Sequence, residues 1–124
     1  MKDEEDGGRA VEDLRKRTKR FALRAITLFA ALPKTTEAQI LGKQFLRSAT
    51  SVGAHYREAK RAKSDADFVS KIEGGLQELE ESQYWLELLA ESGIVSPTRL
   101  KAILAESEEL IAIFVSIVKK AKAS

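Results

Sequence analysis

A serine, the chain's only histidine and a glutamate follow one another at helical spacing, as Ser51, His55 and Glu58. A hydroxyl, an imidazole and a carboxylate are the groups that a hydrolase uses as nucleophile, base and orienting acid. Their spacing, however, places all three on one face of one helix, where side chains run side by side and do not converge on an outside substrate. The pattern therefore favours three buried, hydrogen-bonded polar residues over a catalytic site, and we expect no enzymatic activity.

Metal and cofactor sites need residue patterns that this chain does not contain. It has no cysteine and one histidine. A di-iron bundle needs Glu-x-x-His on two helices, whereas here the order is His-x-x-Glu and it occurs once. A Gly-rich phosphate loop and the spacing of zinc ligands are both missing as well. The sequence therefore predicts neither a metal site nor a cofactor.

Basic residues concentrate along and just beyond the second amphipathic segment. Four of them fall within about 80° on a helical wheel, opposite the apolar stripe, and two more extend the positive end. The basic strip consists of Lys43, Arg47, Arg57, Lys60, Arg61 and Lys63. Such a strip could bind the phosphates of RNA or DNA, with affinity that falls as salt rises.

The alternative interpretation of the basic strip is a solvated face that serves assembly alone. The third segment carries many acidic residues, and those of a neighbouring subunit could neutralise the strip. No aromatic residue interleaves with the basic ones, so base stacking is not expected. Two hypotheses therefore stand: a scaffold that binds nucleic acid, and a pure protein–protein interaction module.

Apolar residues outside the core stripes indicate a second kind of buried surface. Leu23 points nearly opposite the centre of the first segment's stripe, and three residues of the third segment point away from its stripe. Isolated exposed hydrophobic residues are normal, but tryptophan and tyrosine are the types that anchor interfaces. Because three of the four cluster within a few positions, we predict that a subunit interface contains Leu23, Tyr84, Trp85 and Leu88.

Length, composition and charge bound the class of protein. The chain has 124 residues, of which 44% are hydrophobic and 32% are charged, as suits one helical domain. Its net charge of +2 divides unevenly, since residues 1–63 are basic and residues 64–124 are acidic. The N-terminal residues do not match a signal or transit peptide, and no apolar run approaches the roughly 18 residues of a membrane span. We expect a cytoplasmic protein without a membrane segment.

Helix start and stop signals divide the chain into four amphipathic segments. Pro33 ends the first, and the Thr36 to Gln39 stretch has the pattern of a capping box, with Thr36 as the cap. Ser64 caps the third segment and Gly93 ends it, while Pro97 fits the first position of the fourth. The predicted helices span about residues 10–32, 36–61, 65–92 and 97–122.

These elements predict an all-α fold, an up-down-up-down antiparallel four-helix bundle. Connections of a few residues force consecutive helices to run antiparallel, and no segment alternates as a strand would. The bundle should occupy residues 10–124, after a flexible acidic tail at residues 1–9. Gly75 lies on an apolar stripe, which predicts a close helix crossing there.

Three stretches resemble a known family of bacterial four-helix-bundle proteins, the 23S rRNA intervening-sequence proteins. They are residues 44–59 (QFLRSATSVGAHYREA), 61–68 (RAKSDADF) and 80–89 (EESQYWLELL). The resemblance covers about residues 11–120. One departure is His55, where the family usually has asparagine.

The resemblance implies a left-handed up-down-up-down bundle that assembles as a ring-like homopentamer. Some members are encoded inside insertions in 23S rRNA genes. A similar relative, the accessory protein of diversity-generating retroelements, binds nucleic acid and a reverse transcriptase through a basic surface. The signature positions that carry over are Arg47, Ser51, Arg57 and Glu58. The expected partners are therefore further copies of the chain, RNA or DNA, and a reverse transcriptase or other protein.

Overall fold

The computed structural model is a bundle of four long helices joined by short connections. It describes the backbone of residues 2–123 and the side chains of residues 14–123. The helices are α1 (Lys2–Ala30), α2 (Thr36–Ala59), α3 (Asp65–Glu91) and α4 (Pro97–Ala123). Consecutive helices pack against each other, and α1 and α4 close the bundle with the least contact of any adjacent pair. The predicted all-α, up-down-up-down bundle is confirmed.

Helix ends follow local chemistry, with one correction to the predicted caps. The Ser64 hydroxyl accepts a hydrogen bond from the Asp67 amide at 3.1 Å, as expected of the α3 cap. At the start of α2 the capping hydroxyl belongs to Thr35, which accepts from the Ala38 amide at 3.3 Å, so the assignment to Thr36 is wrong. After α3, Gly93 adopts the left-handed backbone (φ 78°) that glycine accommodates without strain.

The first helix begins earlier than predicted, at Lys2 instead of near residue 10. The predicted flexible tail of residues 1–9 falls where side chains lie outside the described residues, so its flexibility stays a prediction. At the other end the regular helix stops at Ala30, and the amides of Ala31 and Leu32 bond three residues back, which tightens the last turn before Pro33.

The core is apolar along its length except for a layer of hydroxyl side chains near its middle. Large side chains such as Phe21, Phe45 and Phe114 are fully buried. Between them, the buried hydroxyls of Ser48 and Ser82 lie 3.0 Å apart across α2 and α3. Further polar contacts link α3 to α4, since the Gln83 amide donates to the Ser107 hydroxyl at 3.0 Å. Every buried hydroxyl in this layer has a partner, as burial requires. These bonds tie three helices in one register.

Two adjacent glycines let neighbouring helices approach α3 closely. A Cβ on Gly75 would lie 2.7 Å from the buried ring of Phe114 on α4. A Cβ on Gly74 would lie 2.9 Å from the imidazole of His55 on α2. The predicted close crossing at Gly75 is present, and Gly74 makes room for a second neighbour on the other side. The position of His55 is therefore fixed by the surface of α3.

Candidate nucleic-acid interface

The first part of the basic strip, on the N-terminal half of α2, meets acidic residues of the same chain. The Arg47 guanidinium lies 3.4 Å from a Glu81 carboxylate oxygen and 3.7 Å from one of Glu78. The two glutamates are close enough that a hydrogen bond between them raises the pKa of Glu81. Lys43 is exposed and forms no ion pair with the described residues. The charge of Arg47 is therefore neutralised by acidic residues of α3 in the same chain, and not by those of a neighbouring subunit.

The second part of the strip lies at the C-terminal end of α2 and in the turn after it. Arg57, Lys60, Arg61 and Lys63 are all exposed. Within residues 14–123, none of them forms an ion pair. Arg57, the nearest of them to Lys43, is separated from it by about 21 Å of helix, at 1.5 Å per residue. The strip therefore divides into a partly neutralised half and an unpaired half.

Two lysines of α4 lie at the same end of the bundle as the unpaired half. An ion pair between Lys122 and Glu73 (3.1 Å) holds the last turn of α4 beside the first turns of α3, where the α2–α3 connection also lies. Lys119 and Lys120 are exposed on this last turn and form no ion pair among the described residues. We call the combined cluster the basic end. It consists of Arg57, Lys60, Arg61, Lys63, Lys119 and Lys120.

Sequence analysis missed the two lysines of the basic end because they are far from α2 along the chain. The predicted bundle topology already indicated where these lysines lie. In an up-down-up-down bundle the C-terminal ends of α2 and α4 lie at the same end of the molecule. Lysines in the last turn of α4 also complement the negative end of its dipole.

The three polar residues Ser51, His55 and Glu58 do not form the buried set that their spacing predicted. Glu58 is exposed and forms an ion pair with Lys71 at 3.4 Å, so the prediction of its burial is wrong. Ser51 is half-buried, and its hydroxyl donates to the Arg47 carbonyl one turn back at 2.7 Å. His55 is half-buried, with its Nδ1 atom shielded and without a hydrogen-bond partner. The reason is the orientation of α2 about its axis. The face that carries these three residues lies along the edge of the α2–α3 contact and not toward the core.

The four residues predicted at a subunit interface occupy two separate surfaces. Leu23 on α1 is 54% exposed and Tyr84 on α3 is 53% exposed. Trp85 and Leu88 are half-buried, and the Trp85 ring contacts that of Tyr84 edge-on at 5.1 Å. Ile26, one turn after Leu23, is also strongly exposed and was missed, although its offset of three residues was visible in the sequence.

The two apolar surfaces face opposite directions and carry opposite charge. Helices α1 and α3 are diagonal in the bundle, since each packs on α2 and α4 and not on the other. The exposed neighbours of Leu23 one turn back are Lys19 and Arg20. Those of Tyr84 are Glu80 and Glu87. We call these the α1 surface (Lys19, Arg20, Leu23, Ile26) and the α3 surface (Glu80, Tyr84, Glu87).

The described residues lack the arrangements that a metal site or a membrane span would need. No group of three or more histidine, cysteine, aspartate or glutamate side chains is arranged to hold a metal ion there. In the same part of the chain, none of the helices combines the length and the apolar character needed to cross a membrane.

Comparison with known families gives a match to the 23S rRNA-intervening sequence proteins over residues 12–116. The chain belongs to this family. A crystal structure of a protein of unknown function from Bacteroides thetaiotaomicron, assigned to the S23 ribosomal protein family, has 36% sequence identity and a TM-score of 0.81. That alignment covers 86% of the present chain and 98% of the relative. The comparison with curated proteins gives no match.

Only one of the two parts of the basic end lies within the residues that match the family. The α2 part of this 23S rRNA-intervening sequence protein lies within the matched residues, whereas Lys119 and Lys120 follow the end of the match. The α1 and α3 surfaces also lie inside it. The family resemblance predicted from the α2 signature is confirmed, together with its helical fold.

Proposed function

We propose that this protein is a non-enzymatic oligomeric scaffold that binds RNA or DNA through its basic end. The observation that carries the proposal is the presence of six exposed cations at one end of the bundle, contributed by α2, its following turn and α4, which form no ion pair with residues 14–123. Phosphate contacts from such groups give affinity without base recognition. No aromatic residue lies among the six, which favours binding to the backbone over stacking on bases.

The α1 and α3 surfaces support head-to-tail assembly, which forms a ring where the rotation between neighbouring copies closes. A ring needs two different, complementary patches on each subunit, because each copy contacts its neighbours head to tail. An apolar patch flanked by cations on one side and an aromatic patch flanked by carboxylates on the other meet this requirement. In a cyclic ring built through the sides of the bundle, every copy directs its basic end the same way. Several basic ends would then act together on one polyanion.

The arrangement around His55 supports a role without catalysis. Among the described residues, no hydrogen bond links His55 to Ser51 or to Glu58. The Ser51 hydroxyl is already bonded to a backbone carbonyl, and the Glu58 carboxylate lies beside Lys71. A nucleophile needs a base within hydrogen-bond reach, and among residues 14–123 no side-chain base is hydrogen-bonded to this serine.

A comparison of two charge-reversal variants tests the proposal. We expect Arg57→Glu/Arg61→Glu to weaken binding of labelled single-stranded RNA and duplex DNA at low salt by about tenfold or more, because each site exchanges attraction for repulsion of a phosphate. The measurement is fluorescence anisotropy, with light scattering to show that the oligomer is retained.

The matched control is Lys34→Glu/Lys101→Glu, which makes the same charge change with exposed residues at the opposite end of the bundle. Its affinity should stay close to that of the wild type. Equal loss in both variants would show that net charge alone determines binding, against a defined basic end. Absence of binding to either nucleic acid at low salt would instead support the alternative, a pure protein–protein assembly module.

A further inference from the structure

The contact between α1 and α4 is closed at one end by an arginine with two acidic partners. Arg17 donates from Nε and Nη2 to the two carboxylate oxygens of Glu106, at 3.0 and 2.8 Å, and from Nη2 to Glu109 at 2.8 Å. These hydrogen bonds lower the pKa of Glu106 and raise that of Arg17. Because the two helices otherwise make little contact, this cluster is the main polar link between them.

Near the C-terminal end of α1 and the start of α4 lies a cleft of about 230 Å³ that residues of both helices line. Its floor includes the side chains of Leu28 and Ile103, which pack against the core. Arg24 from α1 and Arg99 from α4 line the cleft as well, together with Thr27. No acidic residue is among the lining residues. The cleft therefore combines an apolar floor with positive charge from both helices.

The two arginines of the cleft, unlike Arg17, have no acidic partner among the described residues. Neither Arg24 nor Arg99 forms an ion pair or a side-chain hydrogen bond with the described residues. The charge of Arg24 acts on Glu106 only as the weakest of the influences that shift its pKa. An arginine guanidinium binds carboxylates and phosphates through paired hydrogen bonds. A ligand could supply the anion that this chain does not.

We infer that the α1–α4 cleft is a binding site for a small anion with an apolar body, such as a one-ring or short-chain carboxylate. The volume equals that of roughly eight water molecules at ~30 Å³ each, which suits a ligand of this size. Its apolar part would cover Leu28 and Ile103, and its anionic group would lie between Arg24 and Arg99. Clefts between the helices of a bundle are common ligand sites. This site lies away from the basic end and is independent of nucleic-acid binding.

Three probes that share a benzyl group and differ in charge test the inference on the full chain. They are phenylacetate, benzyl alcohol and benzylamine. Methyl-labelled Leu28 and Ile103 report binding by NMR, which remains usable for a large oligomer. We expect phenylacetate to shift both methyl signals and to bind about fivefold more tightly than benzyl alcohol, as two exposed ion pairs allow. Benzylamine should bind most weakly.

Single neutralising variants assign the charge to the two arginines. Arg99→Gln and, on the other helix, Arg24→Gln should each lower phenylacetate affinity about twofold while leaving benzyl alcohol affinity unchanged. Lys101→Gln is the matched control, since it removes one exposed charge near Arg99 but outside the cleft. Equal affinity for all three probes would overturn the inference. So would methyl shifts confined to other parts of the protein, or an equal loss in the control.

Discussion

Arginine has three different environments in this protein, and the acids within reach determine each. Arg17 is bonded to Glu106 and Glu109 across α1 and α4. Arg47 is shared by two glutamates of α3, and Arg57 at the basic end has no ion-pair partner among the described residues. The strip pattern of α2 identified the basic residues but treated them as equivalent. Whether each arginine has an acidic partner depends on residues more than thirty positions away in the chain. A pattern on one helix does not include those residues.

His55 and Gly74 form the most specific side-chain fit at the α2–α3 contact, and they provide a test at the residue scale. Replacing Gly74 by alanine favours the helix by about 1 kcal/mol but places a Cβ 2.9 Å from the imidazole. We expect Gly74→Ala to lower the free energy of unfolding by about 1–2 kcal/mol in the wild type, as overpacking does. In a His55→Ala background, Gly74→Ala should instead raise the free energy of unfolding by up to about 1 kcal/mol. Urea unfolding of the wild type, the two single variants and the double variant measures both effects. A Gly74→Ala effect of the same sign in both backgrounds would contradict close packing of His55 on Gly74.

The ends of the helices are the features that the sequence predicts best, because proline, glycine and capping hydroxyls act on the backbone next to them. The structure confirms the Ser64 cap, the Gly93 end and the start of α4 at Pro97. At the start of α2 two adjacent threonines offered equivalent hydroxyls, and spacing alone favoured the wrong one. Contact between α1 and α4 follows from the predicted topology, but the pairing of Arg17 with Glu106 was not predictable, since these residues are far apart in the chain.

The two threonines before α2 give a paired test of the cap. Thr35→Ala removes the hydroxyl that accepts from the Ala38 amide, and we expect it to lower the free energy of unfolding by about 1 kcal/mol. Thr36→Ala should change it by no more than a few tenths, because a surface substitution without such a bond has little effect. Thermal or urea unfolding distinguishes them. A larger cost for Thr36→Ala would return the cap to the position predicted from sequence.

The Arg17–Glu106 link should make the α1–α4 contact sensitive to acid. The hydrogen bonds from Arg17 lower the pKa of Glu106 in the folded state. Stability from this pair is therefore complete above the unfolded carboxyl value of 4.5 and is lost as the pH falls through the lowered folded value. We expect Glu106→Gln to cost about 1–2 kcal/mol at pH 7 and progressively less below pH 4.5.

Glu108→Gln is the control for this pH dependence. Glu108 is an exposed neighbour that forms no ion pair with the described residues. Its replacement should change stability little at either pH. A Glu106→Gln cost that stays constant from pH 7 to pH 3 would contradict the assigned role of the ion pair. Urea midpoints measured across that range provide the comparison.

At the scale of the whole molecule, charge is arranged by the antiparallel topology as well as by the order of residues. The sequence divides into a basic first half and an acidic second half. Folding brings the lysines that end the acidic half to the same end of the bundle as the basic residues that end α2. It also places the α1 and α3 surfaces on opposite sides. The bundle and the end at which α2 and α4 terminate could be predicted from the helix pattern, whereas the ion pairs that neutralise Arg47 and Lys122 depend on the folded structure.

Complementation between two variants tests whether assembly is head to tail. Leu23→Glu places a carboxylate opposite the acidic α3 surface and Tyr84→Lys places a cation opposite the basic α1 surface, so like charges meet across the contact and each variant alone should be monomeric. Mixed together, they retain one intact α1 surface and one intact α3 surface, and we expect a 1:1 dimer by light scattering. If each surface instead paired with itself, each variant alone would dimerise through its remaining intact surface, which would contradict head-to-tail assembly. A wild-type chain that is monomeric at micromolar concentration would contradict assembly altogether.

The salt dependence of nucleic-acid affinity tests the central claim most directly. For single-stranded RNA, the logarithm of the association constant falls with the logarithm of salt by about 0.7 for each phosphate neutralised. If the six cations of one basic end all engage phosphates, the slope should be about −4, and steeper if several subunits bind one strand. Arg57→Glu/Arg61→Glu should reduce the slope as well as the affinity. A slope near zero, or no binding at low salt, would contradict the account.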